Sequence, residues 1–350
     1  MFKKKMFSAA LAWGLCVALS MPAYGAEVRG DITSDIVYDG QDWVYVENGQ
    51  VNNSYTGVRQ NDNGWWRVEA GKVNFGYNGL AENEYGWWVI KDGNVDFDCN
   101  GLIEDEKGWF YIKDGMVDWS YTGLASNEAG WFYVKNGTID WNYTGLAENE
   151  AGWFYVKDGV IDWDYTGLAE NGAGWFYVND GIIDWNYTGL YESESVWFYI
   201  NSGIIDWGYS GVAENESGWW KCSGGTIDYN YTGLVDNGDE VWMISSGKAD
   251  FDYNGYVSNA NGTFYVEAGK VNTNANGVMS KDDALVYVKN GQVRYDYTGM
   301  AEYNGQRVYI NNGVVDYTYT GLASDEAGTW KMKDGIADTE YSGYYDVNGQ

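Results

Sequence analysis

The chain is built from one unit of 22 residues that is copied along its length. Gly123 to Thr144 reads GLASNEAGWFYVKNGTIDWNYT, and Gly145 to Thr166 reads GLAENEAGWFYVKDGVIDWDYT. The glycine that opens the unit recurs 14 times, from Gly57 to Gly343, always at a spacing of 22. Because no insertion or deletion interrupts this period, we expect repeats that stack in register on their neighbours.

Each unit contains a β-hairpin signal. Trp153 to Lys157 is aromatic and β-branched, as is Val160 to Tyr165, and only Asp158-Gly159 separates the two segments. Asn-Gly or Asp-Gly stands at this turn in nine of the 14 units, and such pairs tolerate the positive φ that a two-residue hairpin turn requires. Leu168 to Gly174, rich in Glu, Asn and Gly, is interpreted as a connecting loop. Since a lone hairpin is unstable in water, the predicted fold is all-β, a β-hairpin solenoid of about 14 tandem 22-residue repeats.

The predicted hairpin register places Phe154, Val156, Ile161 and Trp163 on one face. Comparison among the copies supports a core role, because the positions of Phe154, Val156 and Ile161 are apolar in all 14 units. Burying one large apolar side chain at such a position stabilises the fold by about 1.5–3 kcal/mol. We therefore predict that these four residues belong to the core between stacked repeats.

The other face carries Trp153 and Tyr155, with Asp162 and Asp164 across the hairpin. The Trp153 position is Trp in nine units but Val, Thr, Leu or Arg in the last five, which favours an outer position over an obligatory core one. Aromatic faces stack on sugars or hold quaternary ammonium groups at ~0.5–2 kcal/mol per contact, and repeated weak sites gain avidity on a polymer. The alternative is that these aromatics only pack between repeats. The predicted ligand-binding residues are Trp109, Tyr111, Trp131, Tyr133, Trp153, Tyr155, Trp175, Tyr177, Trp197, Tyr199, Asp140, Asp162 and Asp184.

The start of the chain predicts export. Residues 1–25 combine three lysines, an apolar stretch and small residues, as a secretory signal peptide does. Residues 26–36 are then an N-terminal lead, 37–343 the repeats, and 344–350 the start of a truncated or capping unit. Without the leader's lysines, 18 of the 21 basic residues remain against 51 acidic ones. This charge argues against nucleic acid and anionic membrane partners, and no later segment is apolar enough for membrane insertion.

Catalysis and metal binding are not expected. The chain has no histidine, the most common acid–base group and metal ligand, and its carboxylates recur along the array instead of forming one enclosed site. We therefore predict no enzyme activity, no catalytic residues and no cofactor. The aspartates at steps of 22 from Asp96 to Asp250 are interpreted as a solvated acidic face, since they lack the spacing of calcium loops. Cys99 and Cys222 occupy different phases of the repeat, which predicts unbridged core thiols.

The run WFYVKNGTIDWNYTGL resembles the choline-binding and glucan-binding repeats of Gram-positive bacteria, and the wider cell-wall-binding repeats of clostridia in particular. This resemblance implies a secreted, cell-surface β-solenoid that attaches non-covalently to cell-wall polysaccharide, teichoic acid or another glycan polymer. It also implies ligand contacts at the first Trp and third Tyr of the triplet, as at Trp131 and Tyr133. Leu124 and its counterparts stand where choline-binding units usually have Trp, so choline, glucan, wall glycan and host glycan all stay open as ligands.

The predicted function is therefore that of a secreted, non-catalytic binding protein for wall polymers or extracellular polysaccharide. Two alternatives remain open from the sequence. One is a structural spacer or adhesin stalk without a specific ligand. The other is the binding region of a larger wall enzyme or toxin-like protein.

Overall fold

A computed structural model describes residues 34–340, and within them the secondary structure consists of 42 strands, three in each of 14 repeats. None of these described residues forms a helix long and apolar enough to cross a membrane. The leader predicted at residues 1–25 and the segment 344–350 lie outside the described residues. Two compact bodies are present, one with the described residues up to Tyr143 plus Asp158–Val160, the other with Thr144–Lys157 plus the described residues from Ile161 onward. The same repeat builds each body.

The first strand of a repeat has four or five residues and, in all but the first repeat, starts at the unit's opening glycine. A two-residue turn usually follows it. These strands are Ser34–Tyr38, Gly57–Asn61, Gly79–Asn83, Gly101–Asp105, Gly123–Asn127, Gly145–Asn149, Gly167–Asn171, Gly189–Ser193, Gly211–Asn215, Gly233–Asp236, Gly255–Asn259, Gly277–Lys281, Gly299–Tyr303 and Gly321–Asp325.

The second strand contains the aromatic triplet and pairs antiparallel with the first. These strands are Trp43–Glu47, Gly64–Glu69, Gly86–Lys91, Gly108–Lys113, Gly130–Lys135, Gly152–Lys157, Gly174–Asn179, Val196–Asn201, Gly218–Ser223, Val241–Ser245, Gly262–Glu267, Ala284–Lys289, Gln306–Asn311 and Gly328–Lys333.

The third strand has only two residues and follows the glycine turn. These strands are Gln50–Val51, Lys72–Val73, Asn94–Val95, Met116–Val117, Thr138–Ile139, Val160–Ile161, Ile182–Ile183, Ile204–Ile205, Thr226–Ile227, Lys248–Ala249, Lys270–Val271, Gln292–Val293, Val314–Val315 and Ile336–Ala337.

The all-β array of hairpin repeats is confirmed, but the main hairpin of each repeat is not the predicted one. Gly167–Asn171, which lies mostly in the predicted loop, is a strand whose ends pair with Val178 and Gly174. Leu168 and Ala169 belong to two different apolar clusters, one on each side of the strand. The loop interpretation is wrong because a strand packed on both faces shows no polar alternation, and its Glu and Asn lie only at the exposed end.

The predicted glycine turn is confirmed. Asp158 has φ of 50° and Gly159 φ of 76°, the left-handed values of a two-residue hairpin turn. A second constraint acts at this position. A Cβ added to Gly181 would lie 2.6 Å from the carbonyl oxygen of Asp162 in the preceding repeat. Both the turn and this close approach therefore require glycine once every 22 residues.

Neighbouring repeats are joined by backbone pairing. In the second body, Phe176 of one second strand pairs with Ile204 in the third strand of the next repeat. The amide of Tyr177 donates a 2.9 Å hydrogen bond to the carbonyl oxygen of Gly203. In the first body, Phe132 pairs with Val160 in the same way. The second strand of each repeat thus forms backbone hydrogen bonds with the third strand of the next repeat, and this explains the fixed period.

The core lies between successive repeats and buries both faces of the hairpin. One cluster joins Leu146, Ala169, Phe176, Val178 and Ile183, with half-buried Trp153, Tyr155 and Tyr165 packed against it. Its members come from two repeats: the first contributes Leu and the Trp and Tyr of its triplet, and the second contributes Ala, Phe, Val and Ile. What the sequence indicated as an outer face is therefore largely an inter-repeat face.

The core prediction is confirmed for three of its four residues. Phe154, Val156 and Ile161 are buried, whereas Trp163 is 47% exposed. The assignment of Trp163 to the core is wrong because the third strand ends at Ile161, so the alternation of faces does not continue to position 163. The same correction applies to Trp141, which is also exposed.

Both cysteines in the described part of the chain are free thiols, as predicted. Cys222 is fully buried among Leu190, Ala213 and Ile227, and its burial raises the pKa of the thiol to about 11. Cys99 is half-buried. The two residues act as small apolar side chains of the core.

Candidate functional site

An aromatic side chain follows the third strand in most repeats and points to solvent. These residues, which we call the exposed ladder, are 41–53% exposed. They are Phe75, Phe97, Trp119, Trp141, Trp163, Trp185, Trp207, Tyr229, Phe251, Tyr295 and Tyr317. Monomeric proteins rarely expose so many large apolar groups in a regular series, and such surfaces commonly mark binding sites.

The exposed ladder is held by edge-to-face contacts with the second strand. Trp163 lies 5.7 Å from Phe154 with an interplanar angle of 77°, and Trp185 makes the same contact with Phe176. This geometry suits the charge distribution of aromatic rings.

The first tryptophan of the triplet packs on the following repeat. The ring of Trp109 stacks on Phe132 at 6.2 Å with an interplanar angle of 15°, and Trp87 stacks on Phe110 at 6.0 Å. Trp87 also meets the ladder residue Trp119 at 6.2 Å and 89°. Three rings from two repeats thus form an aromatic cage: a triplet Trp, the Phe of the next repeat, and that repeat's ladder residue.

The cage of Trp175, Phe198 and Trp207 lines a cavity of about 760 Å³ in the second body. Trp175 is 38% exposed, more than its counterparts. Tyr191 stands at a position that is alanine in seven of the 14 units, and it also lines this cavity. The charged residues of the lining are Glu192 and Glu194, and none of the lining residues is Lys or Arg.

A second cavity, of about 450 Å³, lies beside Trp197. Its charged lining residues are Glu192, Glu214 and Glu216, again without a basic residue among those that line it. An open aromatic face with nearby carboxylates suits a cation that is poorly able to donate hydrogen bonds.

The predicted tyrosines lie inside the stack of repeats. Tyr111, Tyr133, Tyr155 and Tyr199 each stack on a tyrosine ten residues later, with ring centroids 3.5–3.7 Å apart. Tyr177 is buried and packs on Tyr187 and Tyr191. The structure thus directs these rings toward other tyrosines, away from the exposed ladder.

The predicted tryptophans lie at the edge of the stack. Trp109, Trp131, Trp153 and Trp197 are half-buried, and only Trp175 is exposed. The prediction that they lie on a freely variable outer face is wrong. Trp109 and Trp153, for example, pack against apolar clusters of the following repeat. Their role as ligand contacts stays a prediction.

The predicted aspartates are backbone caps. One carboxylate oxygen of Asp140 accepts a 3.1 Å hydrogen bond from the amide of Asn142, and Asp162 and Asp184 accept the equivalent bond two residues on. This Asx turn ends the third strand. Among the described residues no group of three or more candidate side chains is arranged to hold a metal.

Sequence reasoning missed the exposed ladder, although a signal was present. The Trp163 position is polar in the repeats with Asn53, Thr273 and Thr339, and a required core position would not accept these residues. The comparison among repeats that excluded Trp153 from the predicted core would have excluded Trp163 for the same reason.

Eleven segments of the chain match the choline-binding repeat. They are residues 33–52, 54–74, 76–96, 99–118, 120–140, 142–162, 164–184, 186–206, 208–228, 252–272 and 296–316. The chain belongs to the choline-binding repeat family. Each matched segment ends at the residue that accepts the Asx-turn hydrogen bond, as at Asn74 and Asp140. It contains the three strands of one structural repeat. Membership implies non-covalent binding of choline or another cell-wall ligand.

Solved structures with similar repeats include CbpJ from Streptococcus pneumoniae TIGR4, at 18% identity over 85% of this chain and 99% of that one, with a TM-score of 0.23. Choline binding protein F from Streptococcus pneumoniae has 15% identity over 79% of this chain and 98% of that one, with the same TM-score. An alternansucrase in complex with isomaltotriose has 17% identity over 46% of this chain and 13% of that one, also at 0.23. No curated protein matches the chain.

Proposed function

We propose that this choline-binding repeat protein is a secreted, non-catalytic anchor that holds quaternary ammonium groups of cell-wall polymers in its aromatic cages. The observation that supports this proposal is the cavity formed by Trp175, Phe198 and Trp207, whose charged lining residues are Glu192 and Glu194. Choline carried on a teichoic acid or another wall polymer is the ligand that this chemistry favours.

The chemistry of the cage selects for this ligand class. A quaternary ammonium has no N–H to donate, so it gains from aromatic faces, at about 0.5–2 kcal/mol per contact, and from nearby carboxylates. Each cage is therefore a weak site. A polymer that carries many ammonium groups engages several cages at once, and avidity raises its overall affinity.

Secretion and absence of catalysis belong to the same proposal. The leader-like residues 1–25 and the acidic composition support export to the cell surface. The chain has no histidine, and its carboxylates face outward in repeated copies or cap turns, as Asp140 does. An anchoring role needs neither a proton-transfer group nor a single enclosed site.

Titration calorimetry with choline chloride, together with a pull-down on purified walls, tests the proposal. Trp207→Ala removes one wall of the cage at Trp175, and we expect affinity at that site to fall by about twofold to thirtyfold, as the loss of about 0.5–2 kcal/mol implies. The matched control is Tyr317→Ala, since Tyr317 is equally exposed but Leu285 and Val308 occupy the other two cage positions of its repeats. Absence of saturable choline binding, or equal loss in both variants, would refute the proposal.

A second candidate is stacking of sugar rings on the exposed ladder. The ladder continues to Tyr295 and Tyr317, beyond the repeats that have cages, so its aromatic faces are not restricted to cation sites. If glycan binding dominates, Tyr295→Ala with Tyr317→Ala will weaken binding to choline-free glucan or peptidoglycan. Trp207→Ala would then have no larger effect than this pair.

A further inference from the structure

The tryptophan of one cage already contacts a cation that belongs to the chain. The Nζ atom of Lys107 lies 3.9 Å from the centre of the Trp87 ring, and Trp87 is the tryptophan that meets Phe110 and Trp119. Lys107 is the second residue of the turn after Gly101–Asp105, and its amide donates a 2.9 Å hydrogen bond to Asp105. The turn of one repeat thus places an ammonium on the cage tryptophan of the previous repeat.

The residue at the Lys107 position changes along the chain. In the preceding repeat it is Tyr85, whose ring contacts Trp65 edge-on at 5.9 Å. In the next three repeats it is alanine, and in the two after those it is serine. These small residues are Ala129, Ala151, Ala173, Ser195 and Ser217. Ser195 and Ser217 lie in the repeats that follow Trp175 and Trp197. The cavities that these two tryptophans line have no basic residue among their lining residues.

Repeats in the C-terminal half of the array also cover aromatic faces with cations of the chain. The guanidinium carbon of Arg307 lies 4.3 Å from the Trp330 ring, and Arg307 occupies the triplet position that is Trp in nine repeats. Lys248 and Lys270 lie 5.4 and 5.8 Å from Trp220 and Trp242. Aromatic rings of this array therefore accept cations in several repeats, supplied by the chain itself.

We propose that the residue at the Lys107 position decides whether a cage is open to an external cation. Lys107 covers Trp87 and closes its cage, and Tyr85 covers Trp65 in the cage before it. The small residues Ala129, Ala173 and Ser195 leave the cages of Trp109, Trp153 and Trp175 open. This inference rests on the proposed function and adds which repeats bind. The number of ligands per chain is then set by the open cages and is smaller than the number of repeats.

The physical basis is competition within one molecule. A tethered ammonium reaches its cage at an effective concentration on the order of millimolar or above, so a weakly bound external cation must displace it. An alanine offers no competitor and little bulk. Closing a cage therefore needs only one side chain on an exposed turn, where substitution leaves the core unchanged.

Calorimetric stoichiometry with choline chloride tests the gate in both directions. Lys107→Ala should raise the number of bound cholines by one, and Ala129→Lys should lower it by one by closing the cage of Trp109. Ala129→Gln adds similar length without charge and should lower the number less. Lys289→Ala removes the same charge at an exposed strand end and controls for net charge.

The outcomes separate the two proposals. If the wild-type chain binds no choline, the proposed function fails, and the gate fails with it. If the chain binds choline but Lys107→Ala and Ala129→Lys leave the number unchanged, the gate alone is wrong. A gain for Lys289→Ala equal to that of Lys107→Ala would also overturn it, because charge and not position would then set the number. Circular dichroism of each variant verifies the fold.

Discussion

The rings of Tyr155 and Tyr165 lie face to face, with centroids 3.6 Å apart and an interplanar angle of 15°. Tyr165 also donates a 2.6 Å hydrogen bond from its Oη to the carbonyl oxygen of Leu168 in the next repeat. The same hydrogen bond joins Tyr121 to Leu124. One tyrosine thus connects a second strand to the start of the following repeat.

We expect Tyr165→Phe to keep the stack and lose only the hydrogen bond, lowering the free energy of unfolding by about 0.5–1.5 kcal/mol. Tyr165→Leu also removes the aromatic pair, which adds about 0.5–1.5 kcal/mol. Urea denaturation followed by circular dichroism measures both. An equal loss in the two variants would contradict the division between stack and hydrogen bond.

The turn glycine predicts a second difference in stability. Gly181 has φ of 76°, and an added Cβ would lie 2.6 Å from the Asp162 carbonyl oxygen. Gly181→Ala therefore combines backbone strain with a steric clash. We expect the free energy of unfolding to fall by about 1–3 kcal/mol.

The matched control is Gly172→Ala, in the turn between the first and second strands. A Cβ there meets no heavy atom within 4 Å, and its φ lies outside the left-handed region. We expect the change to be neutral within about 0.5 kcal/mol. If the two alanine variants have the same melting temperature, the close contact between Gly181 and the preceding repeat is not the reason that this position requires glycine.

Much of the fold follows from the sequence alone. The 22-residue period and the glycine turn require stacked hairpins, and the apolar positions of Phe154 and Val156 locate the core. The partner of the second strand does not follow, because half-buried Leu168 and buried Ala169 pack on opposite faces and give no alternating pattern. Only the stacking of the next repeat shows that both faces of this strand are covered.

The candidate site follows less completely, because residues with binding chemistry also serve structure. Thr166 caps the turn, since its Oγ1 accepts a 3.2 Å hydrogen bond from the amide of Asp180, and Asp162 caps the end of a strand. The sequence shows the recurrence of both residues but not their bonds. The cage itself joins Trp87, Phe110 and Trp119 from two repeats, and no pattern within one unit brings them together.

The aspartate series leads to a prediction about capping. Asn52, Asn74 and Asn272 accept the same amide hydrogen bond in their repeats that Asp140 accepts in its own. We expect Asp140→Asn to be nearly neutral and Asp140→Ala to lower the free energy of unfolding by about 1 kcal/mol, because the Asx turn loses its acceptor. Thermal denaturation with and without calcium measures both effects. Stabilisation of the wild type by calcium that Asp140→Asn abolishes would contradict the capping role.

Alkaline pH should weaken the array through its stacked tyrosines. Burial is the main cause that raises the pKa of Tyr165 and Tyr209 to about 12, whereas a phenol in the unfolded chain ionises near pH 10. Below about pH 10 both states hold the neutral phenol, and its contribution to stability is complete. As the pH rises from about 10 to about 12, the unfolded chain loses its protons first and stability falls. Urea midpoints measured across this range should fall as the tyrosinate absorbance of the unfolded chain rises, and Tyr165→Phe should reduce the fall. A midpoint that stays constant up to about pH 12 would show that the stacked phenols ionise as freely in the folded array as in the unfolded chain.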